Sequence, residues 1–282
     1  MSRTLPARRA GLPAAGSGGG PGPRGALRAE WTKLRTAPET TWLLIATVAL
    51  TVAVSTAAAA ATRCPTGTAC HVDVPKLSLT GIDFGQAVVA VLAVLMISNE
   101  YSTGMIKVTL AAVPRRGQML AAKAILVTGL VLVAGTVAAL GSLLAGRLML
   151  PGRGFTAARG FLALSLGNGP VLRATAGAVL YLGLIALLSL GVAALVREPA
   201  AAAGVVLALL YLFPLIAQAA SADPAWQRHL EQIGPMEAGL AIEATTGLRS
   251  LPIGPWAGLG VLAAWAAAAL LGGGLVLRWR DA

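Results

Sequence analysis

Six apolar runs, each about twenty residues long, constrain this chain more than any other feature. They fall at about 41–62, 82–98, 120–145, 174–196, 200–220 and 256–277. A helix of about 20 residues rises about 30 Å, the thickness of bilayer hydrocarbon. A backbone in lipid must satisfy its own amides, so runs of this length predict helices. Barrel strands would alternate polar and apolar residues, and these runs do not alternate. Only 12% of residues are charged and 56% are hydrophobic, whereas a soluble domain carries about 25% charged residues. The expected fold class is an all-α polytopic membrane protein with six transmembrane helices, one domain over residues 26–282.

The segments between the runs carry the polar chemistry. Residues 1–25 are rich in Arg, Gly, Pro and Ala without apolar periodicity, the composition of a disordered cytoplasmic tail. The basic leader is too long for a secretory signal, and the run behind it is long enough to span. From Ala26 to Pro38, Leu27, Trp31 and Leu34 share one helical face, with Arg28, Lys33 and Arg35 off it. That pattern predicts an amphipathic interfacial helix with Trp31 at headgroup depth and Lys33 and Arg35 facing lipid phosphate. Phe155–Leu166 reads as a short interfacial helix. Arg197-Glu198-Pro199 reads as a tight turn joining the fourth and fifth runs, and Pro214 as a kink in the fifth. The long segment Ser221–Pro255 has room for short helices at Pro224–Ile233 and Met236–Thr246.

Cys64 and Cys70 lie six positions apart after the first run. In an oxidising compartment that spacing permits a local disulfide, and it equally permits two reduced thiols. His71 and Asp73 are neighbours, but the set matches no standard zinc spacing, so no metal site is expected. The 22 Lys and Arg residues give a net charge of +11. With the N-terminus inside, fourteen of them fall on the inner side and eight on the outer. The bias puts both termini in the cytoplasm, facing anionic lipid. It supplies a reason for the charge without nucleic acid, which is not an expected partner. The cysteine segment and the long acidic segment then lie outside.

Catalytic constellations are missing from the sequence. The two histidines, His71 and His229, lack a Cys or Ser partner at informative spacing, and there is no metalloprotease motif, nucleophile elbow or phosphate loop. No cofactor and no enzymatic activity are expected of this chain. The span interiors also lack the acidic residues and histidines that proton-coupled carriers place there. What remains is a bundle with abundant glycine and alanine for close helix packing and no energy source of its own.

One polar and basic stretch stands between the second and third runs. It reads Asn99-Glu100-Tyr101-Ser102-Thr103-Gly104-Met105-Ile106-Lys107, then Pro114-Arg115-Arg116, ending at Lys123. Together with Glu30-Trp31-Thr32-Lys33-Leu34-Arg35 before the first run and the long segment before the last, it resembles the permease subunit of a type-2 ABC exporter. The likeness is to the six-span bacterial kind with a separate ATPase. Met105 departs mildly from the Thr that the family often has there.

The resemblance implies that Glu100, Tyr101, Gly104, Lys107, Pro114, Arg115 and Arg116 belong to a cytoplasmic coupling helix that docks on an ABC ATPase subunit. It implies a working unit of two permease chains, identical or different, and two ATPases in a bacterial cell membrane. ATP would be bound by the partner, and an amphipathic, lipid or peptide-like compound would move outward. The alternative is a membrane scaffold or sensor without transport, for which Glu100–Lys123 is a solvated positive-inside segment. An adjacent gene encoding an ATPase with a phosphate loop discriminates the two.

Overall fold

A computed structural model describes residues 25, 27–28, 30–32, 38–65, 70–102, 116–220 and 224–279. The described residues are mainly helical and contain no strand. Six helical stretches are long and apolar enough to cross a membrane: Pro38–Ala61, Val74–Asn99, Gly117–Met149, Gly169–Val196, Pro199–Ala219 and Pro255–Leu277. Each coincides with one of the six apolar runs.

Helix α1 (Pro38–Ala61) turns its most polar stripe inward. Thr47, Thr51, Ser55 and Ala59 recur every four residues and are buried, while Trp42, Ile45 and Leu50 are exposed. Where the surroundings are hydrocarbon, apolarity does not select the inward face; small residues that permit close packing do. A Cβ on Gly81 would lie 1.9 Å from the Thr51 carbonyl oxygen. That turn therefore packs against α1 only because residue 81 has no side chain, and its N–H donates to Ser55 Oγ at 3.0 Å.

The second span is two helices, α2 (Val74–Leu79) and α3 (Ile82–Ser102), divided by the Thr80–Gly81 turn. Helix α4 (Arg116–Met149) starts before the apolar run does. Lys123, expected as a basic flank, is consequently inside the helix and buried. Helix α5 (Gly169–Val196) is the centre of the bundle, with Tyr181, Leu182 and Ile185 fully buried, and it packs against α3, α4 and the last helix.

The fifth span is α6 (Pro199–Leu207), a π-helical turn at Ala208–Leu212, and α7 (Phe213–Ala220). Pro214 has no N–H to donate, and its ring would crowd the carbonyl of residue 210. The wider π turn just ahead of it absorbs that conflict, so the expected kink takes this form.

The long segment before the last span folds as α8 (Pro224–Ile233) and α9 (Pro235–Leu240), and the chain tightens to a 3₁₀ turn at Ala241–Glu243. The helix expected over Met236–Thr246 is thus shorter, because the chain leaves helical geometry at Ala244 (ψ 127°). Helix α10 (Pro255–Trp279) closes the bundle.

The helix expected at Phe155–Leu166 is not formed. Only single 3₁₀ turns occur, at Pro151–Arg153 and Ala157–Arg159, each ended by a glycine at positive φ, Gly154 (96°) and Gly160 (82°). Two left-handed glycines six residues apart leave no room for a second helical turn. The tail expected over residues 1–25 lies outside the described residues apart from Gly25.

Candidate functional site: the two ends of the bundle

The stretch 103–115 lies outside the described residues, and with it Gly104, Lys107, Pro114 and Arg115. Lys33 and Arg35 do as well. Of Glu100 and Arg116 only the helical backbone is described. The flanks of the stretch, however, are held by a specific set of contacts.

Glu30 lies on a helical segment ahead of α1 and is buried, while its neighbour Trp31 is exposed. Its carboxylate accepts a hydrogen bond of 2.7 Å from Lys123 Nζ, and both side chains are almost fully buried. Lys123 Nζ also donates to the Met96 carbonyl oxygen at 3.2 Å. One ammonium thus ties the N-terminal segment, the end of α3 and the start of α4. Leu27 packs on Ala122 beside it. Nearby on the chain, Asn99 Nδ2 donates to Glu39 Oε2 at 3.3 Å, joining α3 to the first turn of α1.

The turn between α5 and α6 closes the same end. Arg197 ends α5 at φ 67°, a left-handed conformation that non-glycine residues adopt at some cost. Its guanidinium stacks over the Tyr101 ring, 5.4 Å from the centroid, and donates to the Val276 carbonyl oxygen of α10 at 3.3 Å. Glu198 caps α6, accepting from the Ala200 and Ala201 N–H groups. Tyr101 is therefore the one described side chain of the expected docking set that joins a second element.

In the sequence Glu30 stands in the entry segment before the first run, Lys123 as a basic flank and Arg197 as a turn residue, with no partner indicated for any of them. A signal was present. Glu30 falls three residues from Leu27, inside the apolar stripe of its helix, and Lys123 falls on the Met119–Val127 face of α4. A charge on a face otherwise destined for burial requires a partner, whichever one the fold supplies.

At the opposite end the segments between helices are sewn together. Cys64 and Cys70 form a disulfide, which takes up both thiols. The Cys64 N–H donates to the Arg153 carbonyl oxygen at 2.9 Å, and Arg159 Nη1 donates to the Cys64 carbonyl oxygen at 2.9 Å. Asp73 caps α2 and also accepts from Thr245 N (2.5 Å), Thr245 Oγ1 (2.6 Å) and Thr246 N (2.9 Å). Arg173 Nη2 donates to the Ala244 carbonyl oxygen.

Helix α9 and its 3₁₀ turn dip into the bundle here. A Cβ on Gly239 would meet the Tyr181 ring, and one on Gly177 would meet Ile242. Gly177 is about 12 Å along α5 from its start, at 1.5 Å per residue. Below that turn Tyr181 donates to Gln86 Oε1, and Tyr211 donates to the Asp83 carbonyl oxygen at 2.5 Å. Glu243 is buried, with Oε1 lacking a hydrogen-bond partner. Burial pushes its carboxyl well above the ordinary value of 4.5; Asp83 and Asp73 add to the shift, and Lys76 opposes it. The 3₁₀ turn that carries it packs against α5 and α10.

The family model for ABC-2 family transporter proteins matches residues 26–215, two thirds of the chain, taking in the N-terminal segment, the first four spans and most of the fifth. No curated protein matches the chain.

Proposed function

The chain belongs to the ABC-2 family of transporter proteins, and from that premise we propose that it is the permease of an ATP-driven exporter whose ATPase is a separate subunit. As a family member with six spanning helices it is a membrane component of ABC transport. The finer reading is that the α3–α4 connection, Glu100 to Arg116, faces the cytoplasm and docks on the ATPase, with two permease chains in the working unit. The cargo on this reading is an amphipathic, lipid or peptide-like compound moved outward across a bacterial cell membrane. Two independent features favour that sidedness: the excess of Lys and Arg on the side of the connection, and a disulfide at the far end, where an oxidising compartment would sustain it.

The observation that carries the reading is the Glu30–Lys123–Met96 joint. A push on the connection reaches α3 and α4 as a unit only if their feet are tied, and a buried ion pair ties them to each other and to the N-terminal segment. Closure of paired ATPases would then rock those spans together rather than flex one helix.

The test is copurification with candidate ABC ATPases, followed by ATPase stimulation in proteoliposomes across a panel of amphiphiles. Glu100→Ala and Gly104→Pro are expected to lower transport and ATPase stimulation while membrane insertion stays at the wild-type level. Wild-type coupling in both variants would remove the docking assignment.

A further inference from the structure

Arginine is disfavoured on the outer side of a membrane protein, yet three arginines gather beside the disulfide. Arg63, Arg153 and Arg159 line a basin of about 840 Å³ with Cys64, Gly154 and Thr156. Arg63 and Arg159 are exposed and Arg153 is half-buried. Among the described residues, no carboxylate lies within ion-pair distance of any of the three. The nearby acid Asp73 is already engaged by Thr245 and Thr246.

The basin is built rather than frayed. Arg159 Nη1 is held by the carbonyl oxygens of Cys64 (2.9 Å) and Gly154 (3.3 Å). That leaves its Nε and Nη2 donors, the edge that grips a phosphate or carboxylate bidentately, without partners among the described residues. Arg153 is fixed through its own carbonyl oxygen, which accepts from the Cys64 N–H. Gly154 sits at φ 96°, where a Cβ would come within 2.3 Å of the Cys64 carbonyl oxygen. The disulfide closes the wall that carries Arg63.

A second cavity, of about 240 Å³, adjoins the first. Pro151 and Thr156 line both, and Val74, Leu150, Phe155, Leu162 and Leu164 make the second one mainly apolar, with Arg147 and Ser165 also in its lining. It lies at the end of α4 (Met149), just beyond the apolar run of the third span. A charged basin opening into an apolar slot there has the shape of an amphiphile with an anionic head.

We propose that Arg63, Arg153 and Arg159 form a binding site for the headgroup of an anionic phospholipid of the outer leaflet, with its chain along the Val74–Phe155 slot. The apolar slot favours the lipid over a soluble phosphate, since a free ion would leave it unfilled. The site does not depend on the coupling role of the α3–α4 connection, and binding without any ATPase tests it separately.

The experiment titrates the labelled full-length chain, in neutral detergent, with short-chain phosphatidylglycerol, matched phosphatidylcholine and inorganic phosphate, and reads affinity by thermophoresis. Wild type is expected to bind phosphatidylglycerol in preference to phosphatidylcholine, and added salt should weaken that binding. R63Q/R153Q, with its disulfide confirmed by mass, should lose at least about tenfold in phosphatidylglycerol affinity, while R63K/R153K should keep part of it. Equal binding of the two lipids by wild type, insensitivity to salt, or unchanged affinity in R63Q/R153Q overturns the proposal. Inorganic phosphate binding as tightly as the lipid overturns it too, by assigning the basin to a soluble anion.

Discussion

At the disulfide end, a covalent bond, three hydrogen bonds onto one aspartate and a helix plugged into the bundle join α2, the α4–α5 segment and the α9 region. At the other end the described contacts include a buried ion pair that also reaches the Met96 carbonyl, a guanidinium stacked on Tyr101 and bonded to the Val276 carbonyl, and a surface amide contact. The first set is redundant, so losing any one member leaves the segments joined. The second turns on charge, and its buried member is an ion pair whose worth depends on both partners being present. On the proposed coupling role this difference has a use: a joint held by charge can change partners, whereas a sewn cap moves as one body.

The sharpest way to break the comparison is at Lys123. Lys123→Met takes the Lys123 cation away from the buried Glu30 carboxylate and is expected to cost about 3–5 kcal/mol of stability. The double variant Glu30→Gln/Lys123→Met, which removes both charges, should recover much of that loss. Melting of the four members of the cycle in detergent measures the coupling, and independent, additive effects would show that the joint is not a joint.

The cap should be less sensitive. Replacing both Cys64 and Cys70 by Ser opens a closure of only six residues, an expected cost of about 2 kcal/mol. Reductant should lower the wild-type melting temperature and leave the Ser variant unchanged. The Glu30–Lys123 coupling energy should be the same in both backgrounds, because the two ends share no partner. A change in that coupling would mean that the ends communicate even at rest.

The smallest expected effect is a pH dependence at Glu243. Its folded-state pKa stands above its ordinary value of 4.5, so as pH rises the unfolded chain releases this proton first. The contribution of Glu243 to stability is therefore greatest in acid and declines from about pH 4.5 upward until the folded-state pKa is reached. Glu243→Gln should flatten that decline and melt higher than wild type at neutral pH. Parallel pH–melting profiles for the two proteins would contradict it.

How much of this was legible in the residues themselves differs between spans and joints. All six spans could be read, since a run of about twenty apolar residues has one stable way to cross hydrocarbon. Local stereochemistry was also visible: Pro199 starting α6, Pro214 disturbing α7, Pro224 opening α8. The Phe155–Leu166 helix was misread because Gly160 alone did not announce that Gly154 would also turn left-handed. The family resemblance rested on Glu30–Arg35, Glu100–Lys123 and the long segment Ser221–Pro255; the first two lie inside the stretch that the family model matches and the third lies beyond it.

The sequence alone therefore determined the class, the number of spans and the family, because those follow from local composition and short motifs. The tertiary structure decided who pairs with whom. Lys123 and Glu30 are 93 residues apart, and Asp73 and Thr245 are 172 apart. Nothing in a one-dimensional pattern names a partner at such a distance. It is the packing of α1, α3, α4 and α5 that takes water away from these groups, and a charge or amide without water must use whichever neighbour the fold brings within reach.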